Sequence, residues 1–249
     1  MLKVKNLKKS FGGIQAVDRC SFEVNRETIT GLIGPNGAGK TTVFNLVSGF
    51  YKPDGGIWFK ETRLDNLPFY KVPRLKVART FQITRELRKM TVVDNLMVAP
   101  MDQMGEKIWN SWFRIPSVKN QERNIRKKAL DVLDFLEISE LKDEYAGNLS
   151  GGQKKLLEFG RTMMTDPELI LLDEPGAGIN PTLMKKLNGF IETLRSNEGM
   201  TFFLIEHDMD LVMQLCDPII VMSEGKEDLL AKNEESSDTD NVREGKESG

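Results

Sequence analysis

The sequence predicts an α/β fold: a mostly parallel β-sheet with a helical block set into it. Three observations carry that expectation. First, the apolar run Ile29-Thr30-Gly31-Leu32-Ile33 leads into Gly34-Pro35-Asn36-Gly37-Ala38-Gly39-Lys40-Thr41, and Thr42 to Val47 continues as a helix. That order is strand, glycine-rich loop, helix. Second, Leu169-Ile170-Leu171-Leu172 and Thr201-Phe202-Phe203-Leu204-Ile205 are continuous apolar runs, the pattern of strands buried on both faces of a parallel sheet. Third, the stretch from about 83 to 160 reads as helical, so it forms a lobe inserted between strands of the core.

The 249 residues are enough for one large domain or two small lobes. An apolar share of 39% with 29% charged residues fits a chain that buries a substantial core. The formal charge of −2 argues against a dedicated nucleic-acid binder, which would usually be basic. Cys20 and Cys216 are far apart and match no metal-ligand spacing, so they are expected as reduced thiols of a cytosolic protein. No apolar run approaches the roughly 18 residues that cross a bilayer, and Met1-Leu2-Lys3-Val4-Lys5 does not open a secretory signal.

Taken in order, residues 1–33 read as short strands: one begins with Leu2, Val4 and Leu7, and Cys20 to Val24 alternates as a half-buried strand. Phe11, followed by Gly12-Gly13, serves either as ordinary core or as a platform for a purine base. Lys52-Pro53-Asp54-Gly55-Gly56 is a turn before the strand Ile57-Trp58-Phe59, and Val77 to Phe81 reads as another strand, ending at Gln82. Thr91 caps a helix, with Asp94 three residues on. Residues 101–117 hold Trp109 and Trp112 without periodicity, as an ordered cover or a partner contact. Ile125, Ala129, Val132, Leu133 and Leu136 share one helix face, and so do Leu183, Leu187, Phe190, Ile191 and Leu194. Asp217 to Met222 reads as a last strand, and residues 233–249 as an acidic, disordered, solvated tail.

The chemistry concentrates at four places. The loop from Gly34 to Thr41 matches G-x-x-x-x-G-K-[ST] at every fixed position. Its glycines let the backbone approach phosphate, the helix N-terminus adds positive partial charge, Lys40 reaches the β- and γ-phosphates, and Thr41 holds Mg²⁺. Leu149-Ser150-Gly151-Gly152-Gln153 opens a helix capped by Ser150. Two adjacent glycines there cost about 1 kcal/mol each relative to alanine, which implies that something, a second phosphate group for instance, must come close to the backbone. Asp173-Glu174 closes an apolar strand at its carboxyl end, where ligands of parallel sheets bind. One carboxylate can then address Mg²⁺ and the other water; a bare acidic pair before the helix-starting Pro175 is the alternative. His207, the only histidine, follows a core strand on the same edge, as a partner of the γ-phosphate or the attacking water.

In this order and spacing the motifs resemble the ATP-binding-cassette ATPases, the nucleotide-binding subunits of ABC transporters, over residues 1 to about 225. The resemblance implies a phosphate-loop NTPase core with an N-terminal antiparallel β-subdomain and a helical subdomain at about 83–160, within an ATPase domain spanning 1–232. It implies that Phe11 stacks on adenine, that Gly34, Pro35, Asn36, Gly37, Ala38, Gly39, Lys40, Thr41 and Thr42 bind the phosphates, and that Thr41, Gln82 and Asp173 surround Mg²⁺. Glu174 is then the catalytic base, His207 the switch histidine, and Gln82 the residue that touches metal or water and senses the membrane partner. Ser150, Gly151 and Gly152 close over ATP held by a second cassette. Asn180 stands where many members carry aspartate.

Val77-Ala78-Arg79-Thr80-Phe81-Gln82, Met90 to Leu96 and Glu174 to Pro181 look most like an ATPase of branched-chain amino-acid importers. That likeness implies an ATP-driven importer with two integral-membrane permease subunits, a second cassette ATPase or a homodimer, and a solute-binding protein outside the cell. It also implies a peripheral place on the cytoplasmic face of the inner membrane, with no nucleic acid. Members usually carry a small hairpin and a final helix after Val221-Met222, whereas Ser223-Glu224-Gly225-Lys226 is expected to run quickly into the acidic tail. The alternatives are a cassette of another transport complex (for urea, lipid or export) and a nucleotide-gated switch on DNA or ribosomes. The long coiled-coil insertion or tandem cassette of such switches is missing from this sequence.

Overall fold

A computed structural model describes residues 1–80, 86–101, 103 and 115–230. Gln82, Trp109, Trp112 and the acidic stretch from 233 lie outside the described residues.

Alternating burial builds the first sheet. β1 (Leu2–Phe11) and β2 (Ile14–Val24) pair antiparallel from Leu2↔Val24 to Phe11↔Ile14. β3 (Ile29–Ile33) and helix α1 (Lys40–Val47) follow, then β4 (Asp54–Phe59) and β5 (Thr62–Arg63). The antiparallel sheet has the order β2-β1-β4-β5.

Strands with apolar centres build the second sheet. β6 (Val77–Arg79), β7 (Leu169–Asp173) and β8 (Thr201–Ile205) join β3 and β9 (Ile219–Ser223) as parallel neighbours, and β10 (Lys226–Leu230) returns antiparallel. The order is β10-β9-β3-β8-β7-β6. Successive side chains point to opposite faces. Leu169, Leu171, Phe203 and Ile205 therefore meet α1 and the antiparallel sheet, while Ile170, Leu172, Phe202 and Leu204 meet the helices. Phe203 packs on Phe44 and Phe22 with ring centroids 4.9 and 5.4 Å away; burying each such ring contributes about 2–3 kcal/mol.

The helices are α2 (Val92–Met97), α3 (Ile115–Phe135), α4 (Gly151–Met163), α5 (Pro181–Glu198) and α6 (Met209–Leu215). Their starts are chemically marked. The Thr91 hydroxyl accepts from the Asp94 amide, Ser150 and Gln153 make a reciprocal capping box, and Asn180 caps α5 just before Pro181. The predicted apolar faces are the buried ones: Ala129, Val132, Leu133 and Leu136 on α3 and its end, and Leu187, Phe190, Ile191 and Leu194 on α5. Buried Asn95 knits the segment before α3, bonding the amide and carbonyl of Leu87 and the carbonyls of Met90 and Thr91. Both cysteines are buried and unpaired with each other.

The chain after Met222 corrects one expectation. Ser223-Glu224-Gly225-Lys226 does not run straight out of the fold; it turns β9 into β10. Glu224 and Gly225 both take positive φ (50° and 79°), the pattern of a two-residue hairpin turn. The hairpin braces the phosphate loop, with the Gly225 amide donating to the Ala38 carbonyl at 3.1 Å.

Candidate functional site

Five parallel strands bring their carboxyl ends to one edge, and each predicted motif leaves from there: Gly34 after β3, Asp173-Glu174 at β7, and Glu206-His207 after β8. Gly34 and Gly39 have φ of +149° and +102°. A Cβ at Gly34 would stand 2.0 Å from the Met222 carbonyl oxygen, and one at Gly39 would stand 2.2 Å from that of Ala16. Only glycine lets the loop sit this close to its supports. Helix α1 starts at Gly39 with no side-chain cap and no acidic residue in its first turn, so its N-terminal amides and positive partial charge stay available to an anion. Buried Lys40 donates to the carbonyls of Gly34 (2.7 Å) and Pro35 (3.0 Å). Burial lowers its pKa, with Glu174 and Asp173 acting the other way.

The loop opens on a cleft of about 200 Å³ lined by Asn36, Gly37, Ala38, Gly39, Lys40, Thr41 and Thr42, with Ala16, Glu174 and His207 closing it. The two carboxylates diverge as neighbours at a strand end should. Asp173, buried, takes Arg79 Nη2 on Oδ2 at 2.7 Å. Glu174 has a left-handed backbone (φ +50°), donates its amide to the Ile205 carbonyl, and sets Oε1 2.9 Å from His207 Nε2. The structure thus brings the phosphate loop, Glu174 and His207 together, with Asp173 one residue away.

Two predicted groups stand elsewhere. Phe11 is outside the cleft lining and turns its ring edge to Tyr51, centroids 5.1 Å apart. Ser150, Gly151 and Gly152 also lie outside it. Among the described residues, nothing beyond its chain neighbours and its own helix turn comes within 4 Å of a Cβ at Gly151, and at Gly152 the close atom is Leu183 Cδ2, so their packing does not call for the glycine at 151. Gln82 falls outside the described residues.

Sequence reasoning missed Arg79. Its Nη1 reaches Asn45 Oδ1 (2.8 Å) and Ser48 Oγ (3.3 Å), and its guanidinium lies over the rings of Phe44 and Phe50. A cation on a strand bound for the interior was the available signal, since such a charge needs a buried partner.

Comparison with known proteins agrees with this geometry. Residues 17–177 match the ABC transporter family. The chain is 42% identical over 226 residues to the high-affinity branched-chain amino acid transport ATP-binding protein LivG of Salmonella typhimurium, covering 90% of this chain and 89% of the relative. It is also 42% identical over 245 residues to a probable LivG of Archaeoglobus fulgidus, covering 94% and 92%. A solved ATP-binding cassette of an ABC transporter in its ADP conformation superposes with a TM-score of 0.77 at 37% identity, covering 92% of this chain and 89% of the other. With its phosphate loop, parallel core and antiparallel β-sheet, the chain belongs to the ABC transporter family as an ATP-binding, ATP-hydrolysing cassette.

Proposed function

We propose that this chain powers import of branched-chain or other hydrophobic amino acids, hydrolysing Mg-ATP on the cytoplasmic face of the membrane for two permease subunits and a solute-binding protein. The observation that carries the chemistry is the single cleft shared by the phosphate loop, Glu174 and His207. The substrate class is supported by the relatives named for branched-chain amino acid transport.

The residues fit Mg-ATP. Among the described residues no group of three or more His, Cys, Asp or Glu side chains could hold a metal alone. That suits Mg²⁺, which takes one or two carboxylates, waters and substrate phosphates. Thr41, Asp173 and Gln82 are the proposed protein donors, and when bound the ion neutralises phosphate charge. Gly34 to Thr42 hold the triphosphate, and Lys40 exchanges its two loop carbonyls for β- and γ-phosphate oxygens. Glu174 orients a water whose oxygen attacks the γ-phosphorus as the bond to the β-bridging oxygen breaks; the water's proton passes to the carboxylate. His207, hydrogen-bonded to Glu174, holds that side chain toward the γ-phosphate. Ser150, Gly151 and Gly152 complete the site of a facing cassette, which accounts for a glycine at 151 that no packing among the described residues crowds. Phe11 stacks on adenine after a ring rotation away from Tyr51.

Among the described residues no helix is long and apolar enough to cross a membrane, so work at the bilayer passes through partners. A groove of about 540 Å³ next to the end of β6, with Phe50, Phe69, Tyr70, Val98 and Arg161 on its walls, supports docking of a permease segment there. Val98, Ala99, Met101 and Glu158, which belong to the proposed helical subdomain (about 83–160), line its other side. Gentle crosslinking in native membranes, purification and mass spectrometry tests the reading. Two multi-span permeases and a second cassette are expected. Ribosomal proteins or DNA-bound factors without membrane subunits would rule out import.

A further inference from the structure

We infer that Lys155 and Glu206 form a charged clamp on the turn after Glu174, and that this clamp ties α4, the helix opened by the signature Ser150-Gly151-Gly152, to the catalytic carboxylate within one chain. The inference rests on the proposed role of Glu174 as base.

Lys155 lies on α4, in the turn that follows the signature glycines. Its ammonium donates to three carbonyls of one short turn: Glu174 at 3.4 Å, Pro175 at 3.0 Å, and Ala177. An ammonium has three protons to give, so all three are committed. The turn's amide goes to another charge. Glu206, 6% exposed at the end of β8, accepts from the Gly176 amide on Oε1 at 2.6 Å and from the His207 amide on Oε2 at 3.2 Å. A Cβ at Gly176 would stand 2.8 Å from Glu206 Oε1, so the glycine makes this approach possible.

Neither charge is placed there for its own benefit. Burial lowers the pKa of Lys155 and raises that of Glu206, and each group's charge partly offsets the other's penalty. Glu158 and Glu174 also face this region. A buried carboxylate and a half-buried ammonium spent on the backbone of four residues indicate that the position of those residues matters. The turn needs holding, because Glu174 itself is left-handed, a conformation that costs a non-glycine residue about 1–2 kcal/mol. Glu206 also fixes the backbone of His207, whose ring meets Glu174 Oε1. The pair therefore positions both members of the Glu174–His207 contact.

Displacing the N-terminal turns of α4 draws Lys155 along, and with it the carbonyls of 174–177. Closure of the signature on a facing cassette's nucleotide is thereby transmitted to the chain's own base. Lys155 is a positioning residue: its loss should misplace Glu174 without touching the nucleotide.

The test uses the full chain with Lys155→Met, Lys155→Arg, Glu206→Ala and Glu174→Gln. Steady-state Mg-ATP hydrolysis, binding of a fluorescent ATP analogue and thermal unfolding are measured on each. Lys155→Met should lower kcat about 100-fold, the cost of roughly 1 Å of misplacement, with KM and analogue affinity within twofold of wild type. Lys155→Arg should recover most of that loss, and Glu206→Ala should reproduce its kcat signature if Lys155→Met fails to fold. A kcat within twofold of wild type for Lys155→Met, beside a dead Glu174→Gln, overturns the clamp while leaving the base assignment intact. Parallel loss of kcat and analogue affinity also overturns it. Wild-type turnover by Glu174→Gln overturns the base assignment first, and the clamp with it.

Discussion

Replacing Arg79 by methionine should expose how much of this site's stability rests on one ion pair. The Arg79 and Asp173 side chains are 9% and 5% exposed, and their Nη2–Oδ2 distance is 2.7 Å. Removing one partner of such a pair strands a buried charge, at a cost of about 3–5 kcal/mol. For a chain of this size each kcal/mol shifts Tm by about 2–4 °C, so Arg79→Met should lower Tm by about 6–20 °C. The double variant Arg79→Met/Asp173→Asn removes the stranded charge as well. It should recover at least half of the loss, short of full recovery because Asn45 and Ser48 still lack the guanidinium. Thermal unfolding of the four proteins completes a double-mutant cycle. A Tm for Arg79→Met within 2 °C of wild type, or additive effects in the double variant, would refute the reasoning.

Gly39→Ala should cut ATP affinity about 5- to 160-fold, because its Cβ meets a backbone carbonyl 2.2 Å away at a φ of +102° and the forced conformation should cost about 1–3 kcal/mol. A nucleotide titration giving wild-type affinity would count against the tight-loop account. Burial raises the Glu206 carboxyl above its ordinary value of 4.5, so the folded chain binds that proton more tightly than the unfolded chain does. That stabilising contribution is full below about pH 4.5 and lost as pH rises through the raised folded-state value. Glu206→Gln should therefore gain on wild type as pH rises across that window, read by urea unfolding at a series of pH values. Parallel curves would show that Glu206 does not titrate with folding.

The legible parts of this chain were those where short-range chemistry decides the outcome. The phosphate loop is a contiguous pattern, and its Gly34 and Gly39 are enforced by contacts that any other residue would break. Ser150 and Thr91 announce helix starts because their hydroxyls satisfy amides three residues on. The apolar runs at 169–172 and 201–205 read as doubly buried strands, and they are β7 and β8. Arg79 was illegible as a site residue because its partner lies 94 positions away and the pairing exists only once β6 and β7 are neighbours. Lys155 and Glu206 escaped for the same reason, since they act on backbone atoms that no side-chain pattern reveals. The turn at Glu224-Gly225 was misread although its signal was local: a glycine, which a two-residue turn of positive φ favours, soon after the apolar run Ile219 to Met222.

The central claim is that Glu174 is the base of an ATP-hydrolysing cleft. A single-turnover experiment on Glu174→Gln with γ-labelled ATP tests it most directly. ATP should bind as to wild type and stay intact at least about 100-fold longer, the scale of a lost general base. Release of labelled phosphate at the wild-type rate would contradict the claim.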